Sequence, residues 1–113
     1  MRKPKDIHED IAPILAELKE RLREFYGERL VQLVLFGSRA RRDNDPDSDI
    51  DVLAIFRATK AEAERMRYPT EIIMDLLDRT DRLVSILEID EDSYSILEGP
   101  LIRNIHREGV GVD

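Results

Sequence analysis

The sequence contains no cysteine, no tryptophan and only two histidines, and it has no long hydrophobic run. Without cysteine the chain has no disulfide, no thiolate nucleophile and no cysteine-based zinc site. His8 and His106 are too few for a histidine-rich metal site. No apolar stretch approaches the ~18 residues of a membrane-spanning helix, and the N-terminus lacks the apolar segment of a signal peptide. These absences predict a soluble cytoplasmic protein.

Positive charge is also in short supply. Lys and Arg number 18 against 25 Asp and Glu, for a net charge of −7 at pH 7. A surface that binds nucleic acid broadly needs a basic face that displaces counterions, so this charge argues against such binding. With only three Phe and three Tyr among 113 residues, the core must consist mostly of Leu, Ile and Val. The length predicts a single domain over residues 1–113.

The first half of the chain reads as a helix followed by two strands. Apolar residues from Ile7 to Phe25 recur at steps of three and four, which predicts one helix. Asp6 is suited to its start and Gly27 to its end. The nearly apolar runs 30–36 and 49–56 predict two strands, antiparallel to each other and joined by a polar loop.

The second half predicts a helix, a strand and a further helix. The helix over 59–79 is interrupted near Tyr68-Pro69, because proline disfavours a helical residue before it. Residues 82–89 predict the third strand, a short helix follows the polar break after it, and 100–107 predict the last helix. The order indicates a small α+β domain with a mixed or antiparallel sheet. We expect helices on one face of this sheet and a partly open second face.

The most informative stretch is Gly37-Ser38, ten further residues, and then Asp49-Ile50-Asp51. Side chains alternate along a strand, so Asp49 and Asp51 point to the same face. Two neighbouring carboxylates repel each other unless a positive charge lies between them. Oxygen ligands of this kind suit Mg²⁺, which proteins usually share with substrate phosphates. The pair therefore predicts a magnesium site.

Gly37-Ser38 supplies a complementary half. Glycine allows the backbone to approach a ligand closely, and the Ser38 hydroxyl and the N–H groups after it can donate to phosphate oxygens. Three arginines adjoin the turn and can bind phosphate with two hydrogen bonds: Arg39, Arg41 and Arg42. The alternative is an ordinary turn with a solvated, charge-balanced loop and two aspartates that face solvent.

The run Gly37-Ser38-Arg39-Ala40-Arg41, followed by Asp47-Ser48-Asp49-Ile50-Asp51-Val52, closely resembles the signature of the minimal nucleotidyltransferases. These are small members of the DNA polymerase β-like superfamily. The resemblance extends over nearly the whole chain, although the flanks are less specific than the central motif. It implies the nucleotidyltransferase fold, which is similar to the polymerase β palm.

The resemblance also implies a chemistry and its residues. Asp49 and Asp51 would be the catalytic residues and the Mg²⁺ ligands, and Gly37, Ser38 and Arg39 would bind the nucleotide. The implied reaction is transfer of a nucleoside monophosphate, typically AMP from ATP, to an acceptor hydroxyl. Members of this size are often paired with a HEPN protein, usually an RNase toxin, for which the nucleotidyltransferase is the antitoxin. A HEPN partner, and with it a homo- or hetero-oligomer, is the corresponding expectation.

Two positions depart from the family pattern. Arg42 stands where the family commonly has glycine. The family also usually carries a third carboxylate on a later strand, and the aligned position here is Ser85 or Leu87. Glu88 is the only acid within that run and has the opposite parity, so it would serve only if the strand bulges or its register differs.

Three functions stay open at this point. The chain is an active nucleotidyltransferase, or a binding module that neutralises a HEPN partner by complex formation with little or no turnover, or a regulatory nucleotide-binding subunit of a larger transferase. The intact Gly37-Ser38 and Asp49-Ile50-Asp51 favour the first. The missing third acid favours the second.

Overall fold

Four strands form one mixed sheet in the order β3-β2-β1-β4 in the computed structural model, which describes residues 2–40 and 48–112. The strands are β1 (Leu30–Phe36), β2 (Ile50–Phe56), β3 (Val84–Asp90) and β4 (Val110–Gly111). β1 is antiparallel to both β2 and β4, whereas β3 runs parallel to β2. The predicted α+β class with a mixed sheet is confirmed.

In the part of the chain that the structure describes, five helices accompany the sheet: α1 (Ala12–Tyr26), α2 (Lys60–Arg65), α3 (Thr70–Thr80), α4 (Glu91–Ile96) and α5 (Pro100–Glu108). Short 3₁₀ turns lie at Pro4–Asp6 and Gly27–Arg29. The break between α2 and α3 contains Tyr68 and Pro69, as the proline predicts. Within the described ranges, no helix combines the length and the apolar character that crossing a membrane requires.

α1 is shorter at its start than the apolar stripe predicts. It begins at Ala12, so Ile7 precedes the helix. Pro13 explains the difference. Proline has no N–H to donate, so it fits the first turn of a helix, where the N–H groups have no helical partner, and it disrupts a helix interior. Asp6 instead accepts from the N–H of Lys3 at 3.2 Å. The predicted end is confirmed, since Gly27 has a φ of +64° and donates its N–H to the Arg23 carbonyl.

The larger core lies between one face of the sheet and the helices α1 and α3. Its buried members include Leu15, Leu18 and Leu22 of α1, Leu76 of α3, and Leu33, Leu35, Val52 and Ile86 of the sheet. The alternation of side chains along each strand assigns these sheet residues to a single face. The apolar stripe that predicts α1 is therefore the stripe that covers this face.

The second face of the sheet is covered in part, which corrects the expectation that helices lie on one face only. Ile102 and Ile105 of α5 pack there against Val34, Leu53 and Ile55. The consecutive apolar residues 33–36 of β1 and 52–56 of β2 leave both faces of the central strands in need of burial, and α5 supplies the second cover. The expected open part exists at the edge strand, where Leu87 is 45% exposed.

Among the described strands, β4 is the one that the sequence pattern does not indicate. Its two residues pair with Val34 and Leu35 of β1. Arg2 extends this edge, since its N–H donates to the Gly109 carbonyl and its carbonyl accepts from the N–H of Gly111, each at 2.9 Å. A strand of two residues is too short to show a periodic pattern, so only the pairing reveals it.

Candidate active site

The turn after β1, here called the Gly-Ser turn (Gly37–Ala40), lies directly against the start of β2. The antiparallel register pairs Phe36 with Asp51, which brings Gly37 beside the Asp51 carboxylate. A Cβ atom on Gly37 would lie 2.5 Å from Asp51 Oδ2, and Gly37 has a φ of +77°. Any other residue would meet both a clash and a strained backbone there. The structure thus brings the two halves of the sequence motif into contact.

The two aspartates occupy different environments. Asp49 is exposed and immediately precedes β2, whereas Asp51 is half-buried within it. Burial raises the pKa of the Asp51 carboxyl, and the negative charge of Asp49 raises it further. A cation beside both groups would relieve the repulsion and restore the charged form. An oxygen-only donor pair of this kind fits Mg²⁺.

The position of the missing third acid follows from the parallel register of β2 and β3. Asp51 pairs with Ser85, and Ala54 pairs with Glu88. Paired residues of neighbouring strands share a face of the sheet, so Ser85 is the residue beside Asp51. Of the two candidates, Ser85 and not Leu87 is therefore the residue paired with Asp51. Across residues 2–40 and 48–112, no three acidic or histidine side chains form a potential metal-binding group.

Glu88 serves a different purpose. The Tyr26 hydroxyl of α1 donates to Glu88 Oε2 at 2.5 Å, and the Tyr26 ring stacks on Phe56 in the larger core. This contact lies on the face covered by α1, opposite to Asp51. Burial and the hydrogen bond to Glu88 raise the pKa of the Tyr26 hydroxyl. The bulge or altered register that Glu88 would need is not present in β3.

The Gly-Ser turn is fixed at its far end as well. The N–H of Ala40 donates to the Gly37 carbonyl at 3.1 Å, and Ala40 is buried. Arg39 is 5% exposed and its guanidinium donates to the carboxylate of Asp10. The sequence offers no signal for this ion pair, since Asp10 lies 29 residues upstream. Contact between Arg39 and a phosphate stays a prediction, and Arg41 and Arg42 lie outside the described residues.

The half-buried Asp51 carboxylate predicts a pH-dependent stability difference. In EDTA we expect Asp51→Asn to raise the unfolding temperature by a few degrees near neutral pH. The folded-state pKa of Asp51 lies above the unfolded value of 3.8, so ionisation costs stability once the pH exceeds the folded pKa, and the cost vanishes below the unfolded pKa. Calorimetry between about pH 4 and pH 8 measures the difference.

Asp49→Asn is the matched control for this prediction. It removes the same charge from an exposed position, so it relieves the repulsion but not the burial cost, and the gain should be smaller. An Asp51→Asn protein that is less stable than the wild type throughout this pH range in EDTA would contradict the interpretation.

Comparison with known proteins places the chain among relatives of similar size. The nucleotidyltransferase domain family matches residues 15–108. A Methanocaldococcus jannaschii protein, provisionally named a protein adenylyltransferase, is 28% identical over 93 residues, which cover 82% of this chain and 79% of that protein. The crystal structure of a provisionally named nucleotidyltransferase from Sulfolobus solfataricus is 26% identical with a TM-score of 0.52, covering 94% of this chain and 85% of that one.

Toxin–antitoxin complexes share the fold at lower identity. A chain of one such complex, crystallised with AMP-PNP, has a TM-score of 0.60 at 19% identity and covers 88% of this chain and 72% of that one. A chain of the complex between a tri-AMPylated Shewanella oneidensis HEPN toxin and its MNT antitoxin has a TM-score of 0.53 at 17% identity, with 90% and 71% covered. The family match includes the Gly-Ser turn, both aspartates and all of β3. The chain belongs to the nucleotidyltransferase domain family.

Proposed function

We propose that this chain transfers AMP from ATP to a hydroxyl of a HEPN-domain partner and acts as the antitoxin of that partner. The observation that carries the proposal is the contact between the Gly-Ser turn and Asp51, where a side chain at Gly37 would displace the Asp51 carboxylate and strain the backbone. The two halves of the proposed phosphate and metal site therefore meet at one point. The family match and the antitoxin folds support the identity of the reaction.

Each residue of the motif has a role in this proposal. Asp49 and Asp51 would hold Mg²⁺, which when bound neutralises phosphate charge and promotes ionisation of a hydroxyl. Gly37 lets the main chain come close to the phosphates. The Ser38 hydroxyl and the N–H groups of the turn would orient the triphosphate by hydrogen bonds, including the N–H of Arg39. The half-buried setting of Asp51 strengthens its interaction with a cation.

A protein acceptor is the natural choice on two grounds. The M. jannaschii relative carries the name of a protein adenylyltransferase, and the structural relatives include a modified HEPN toxin bound to an MNT antitoxin. The edge strand β3, with its exposed Leu87, leaves the face of the sheet that carries Asp51 accessible to another protein. An acceptor hydroxyl on a partner's surface could reach the site from there.

Ser85 favours a second candidate function. A neutral hydroxyl stands beside Asp51 where the family usually has a carboxylate. Position 85 then provides no carboxylate to take the proton of the acceptor hydroxyl, and general base catalysis typically contributes about 10²–10⁴-fold to a rate. In this alternative the chain binds nucleotide and neutralises its partner by complex formation, with little or no turnover.

Label transfer distinguishes the two functions. Purified chain with α-labelled ATP, Mg²⁺ and the HEPN protein encoded beside it should place label on that protein. Asp49→Asn combined with Asp51→Asn should lower the rate by about a hundredfold or more, because several kcal/mol of charge stabilisation are lost. Glu88→Gln is the control: it neutralises an acid on the opposite face and should leave the rate within about threefold. Binding of the partner without any label would establish the second function instead.

Ser85→Asp tests whether the missing carboxylate limits the reaction. We expect the variant to transfer label about tenfold faster than the wild type or more, since a base is restored beside Asp51. Ser85→Asn is the matched control, with nearly the same shape and no charge, and should show no gain. Equal rates for Ser85→Asp and the wild type, with both proteins folded and bound to the partner, would mean that proton transfer is not limiting.

Gly37→Ala tests the contact on which the proposal depends. The added methyl group would clash with Asp51 Oδ2 and strain a backbone with positive φ, so we expect a stability loss of about 1–2 kcal/mol and loss of nucleotide binding. Gly27→Ala is the matched control, because its φ is +64° but no atom lies within 4 Å of the new Cβ. It should lose stability and keep nucleotide affinity, as measured by calorimetric titration. Equal affinities for the two variants would argue against the site.

A further inference from the structure

The Gly-Ser turn is held by a second contact besides that with Asp51. Within the described ranges, Arg39 is the one charged residue that is buried, at 5% exposed. Its guanidinium donates to Asp10 Oδ2. A buried guanidinium is stable only when its charge is compensated, and this carboxylate contributes to that and helps to hold the Arg39 side chain in place.

Asp10 is itself firmly placed, because it stands at the entry to α1. The next residue, Ile11, is fully buried in the larger core. The N–H groups of Ile11 and Ala12 both donate to the carbonyl of His8, at 3.2 and 3.1 Å. The His8 Nδ1 lies 2.6 Å from Asp10 Oδ1. The carboxylate is therefore attached to the helix that covers the sheet.

The electrostatic surroundings keep Asp10 charged. Burial acts to raise the pKa of its carboxyl, but hydrogen bonds from Arg39 and His8 outweigh burial and hold the pKa below its usual value. Arg82, at the approach to β3, adds further positive charge, with its Nη2 3.9 Å from Asp10 Oδ2. Asp10 thus joins the start of α1, the Gly-Ser turn and the segment before β3.

We propose that Asp10 is a positioning residue for nucleotide binding: by holding the Arg39 side chain it fixes the direction of the Ser38 hydroxyl and of the N–H groups in the Gly-Ser turn. This inference rests on the proposed function of that turn as the phosphate site. Ser38 stands between Gly37, which lies against Asp51, and Arg39. The two flanking contacts hold it on either side and leave its half-buried side chain little freedom to reorient.

The competing interpretation is that the ion pair only stabilises the fold. A purely structural pair would lower the unfolding temperature when broken and leave nucleotide affinity unchanged in the folded protein. Asp75 provides the matched comparison, because it also joins two elements by accepting from arginines: from Arg21 of α1 at 2.5 Å and from Arg79 at 3.0 Å. It has no contact with the Gly-Ser turn among these hydrogen bonds and ion pairs.

The experiment compares Asp10→Asn, Asp10→Glu and Asp75→Asn with the wild type at a temperature where all are folded. Calorimetry measures affinity for a non-hydrolysable ATP analogue with Mg²⁺, and amide chemical shifts report the conformation of the turn. We expect Asp10→Asn to bind about tenfold more weakly and to shift the amides of Ser38 and Arg39. Asp10→Glu, which keeps the charge, should recover most of the affinity, and Asp75→Asn should stay within about twofold of the wild type.

In the transfer assay Asp10→Asn should raise KM for ATP about tenfold and leave kcat within about twofold, since the reacting groups are unchanged. Unchanged affinity and unchanged turn amides in Asp10→Asn would overturn the inference, as would an equal loss in Asp75→Asn. If the wild type binds no analogue, the proposed function fails, and the turn amides alone decide whether Asp10 positions the turn. Should Asp10→Asn not fold, the amides of Ser38 and Arg39 in Arg39→Lys decide: they should shift, because lysine keeps the charge but not the planar donor group that Asp10 holds.

Discussion

The antiparallel pairing of β1 with β2 is the constraint on which the rest of the site depends. It places Phe36 opposite Asp51, so that the chain leaves β1 at Gly37 directly beside a carboxylate. A shift of one residue in this register would turn Asp51 to the face covered by α1 and separate it from the turn. Packing opposes such a shift, because every core side chain of the moved strand would change faces and lose the neighbours that it contacts in one of the two clusters.

The two faces of the sheet differ: one holds most of the apolar core, and the other carries the candidate site. The face under α1 and α3 holds most of the apolar core and also Glu88, whose carboxylate is used by the Tyr26 hydroxyl. The face that carries Asp51 and Ser85 is covered by α5 over the central strands and stays open near Leu87. Glu88 is only three residues from Ser85 in sequence but lies on the opposite face of the sheet from Asp51, because side chains alternate along the strand.

The motif contains a carboxylate whose charge is not compensated by the described residues and a turn that an ion pair holds in place. Asp51 is held where burial and Asp49 both disfavour its ionised form, which is the expected condition of a carboxylate awaiting a cation. Arg39 and Asp10, in contrast, satisfy each other and tie the neighbouring turn to α1. The carboxylate pair therefore lowers the stability of the fold when no cation is bound. The turn beside it is held by an ion pair between residues that are distant in sequence.

Local pattern by itself determined much of this protein. Nearly continuous apolar runs predicted β1 and β2, Pro69 predicted the break before α3, and the spacing of Gly37-Ser38 and Asp49-Ile50-Asp51 indicated the candidate site, because these signals are properties of neighbouring residues. Tertiary structure alone decided contacts between distant residues: the choice of Ser85 over Leu87, the pairing of Glu88 with Tyr26, and the ion pair that joins Asp10 to the Gly-Ser turn. Register between strands and the docking of α1 set these contacts, and neither leaves a periodic signal in the sequence.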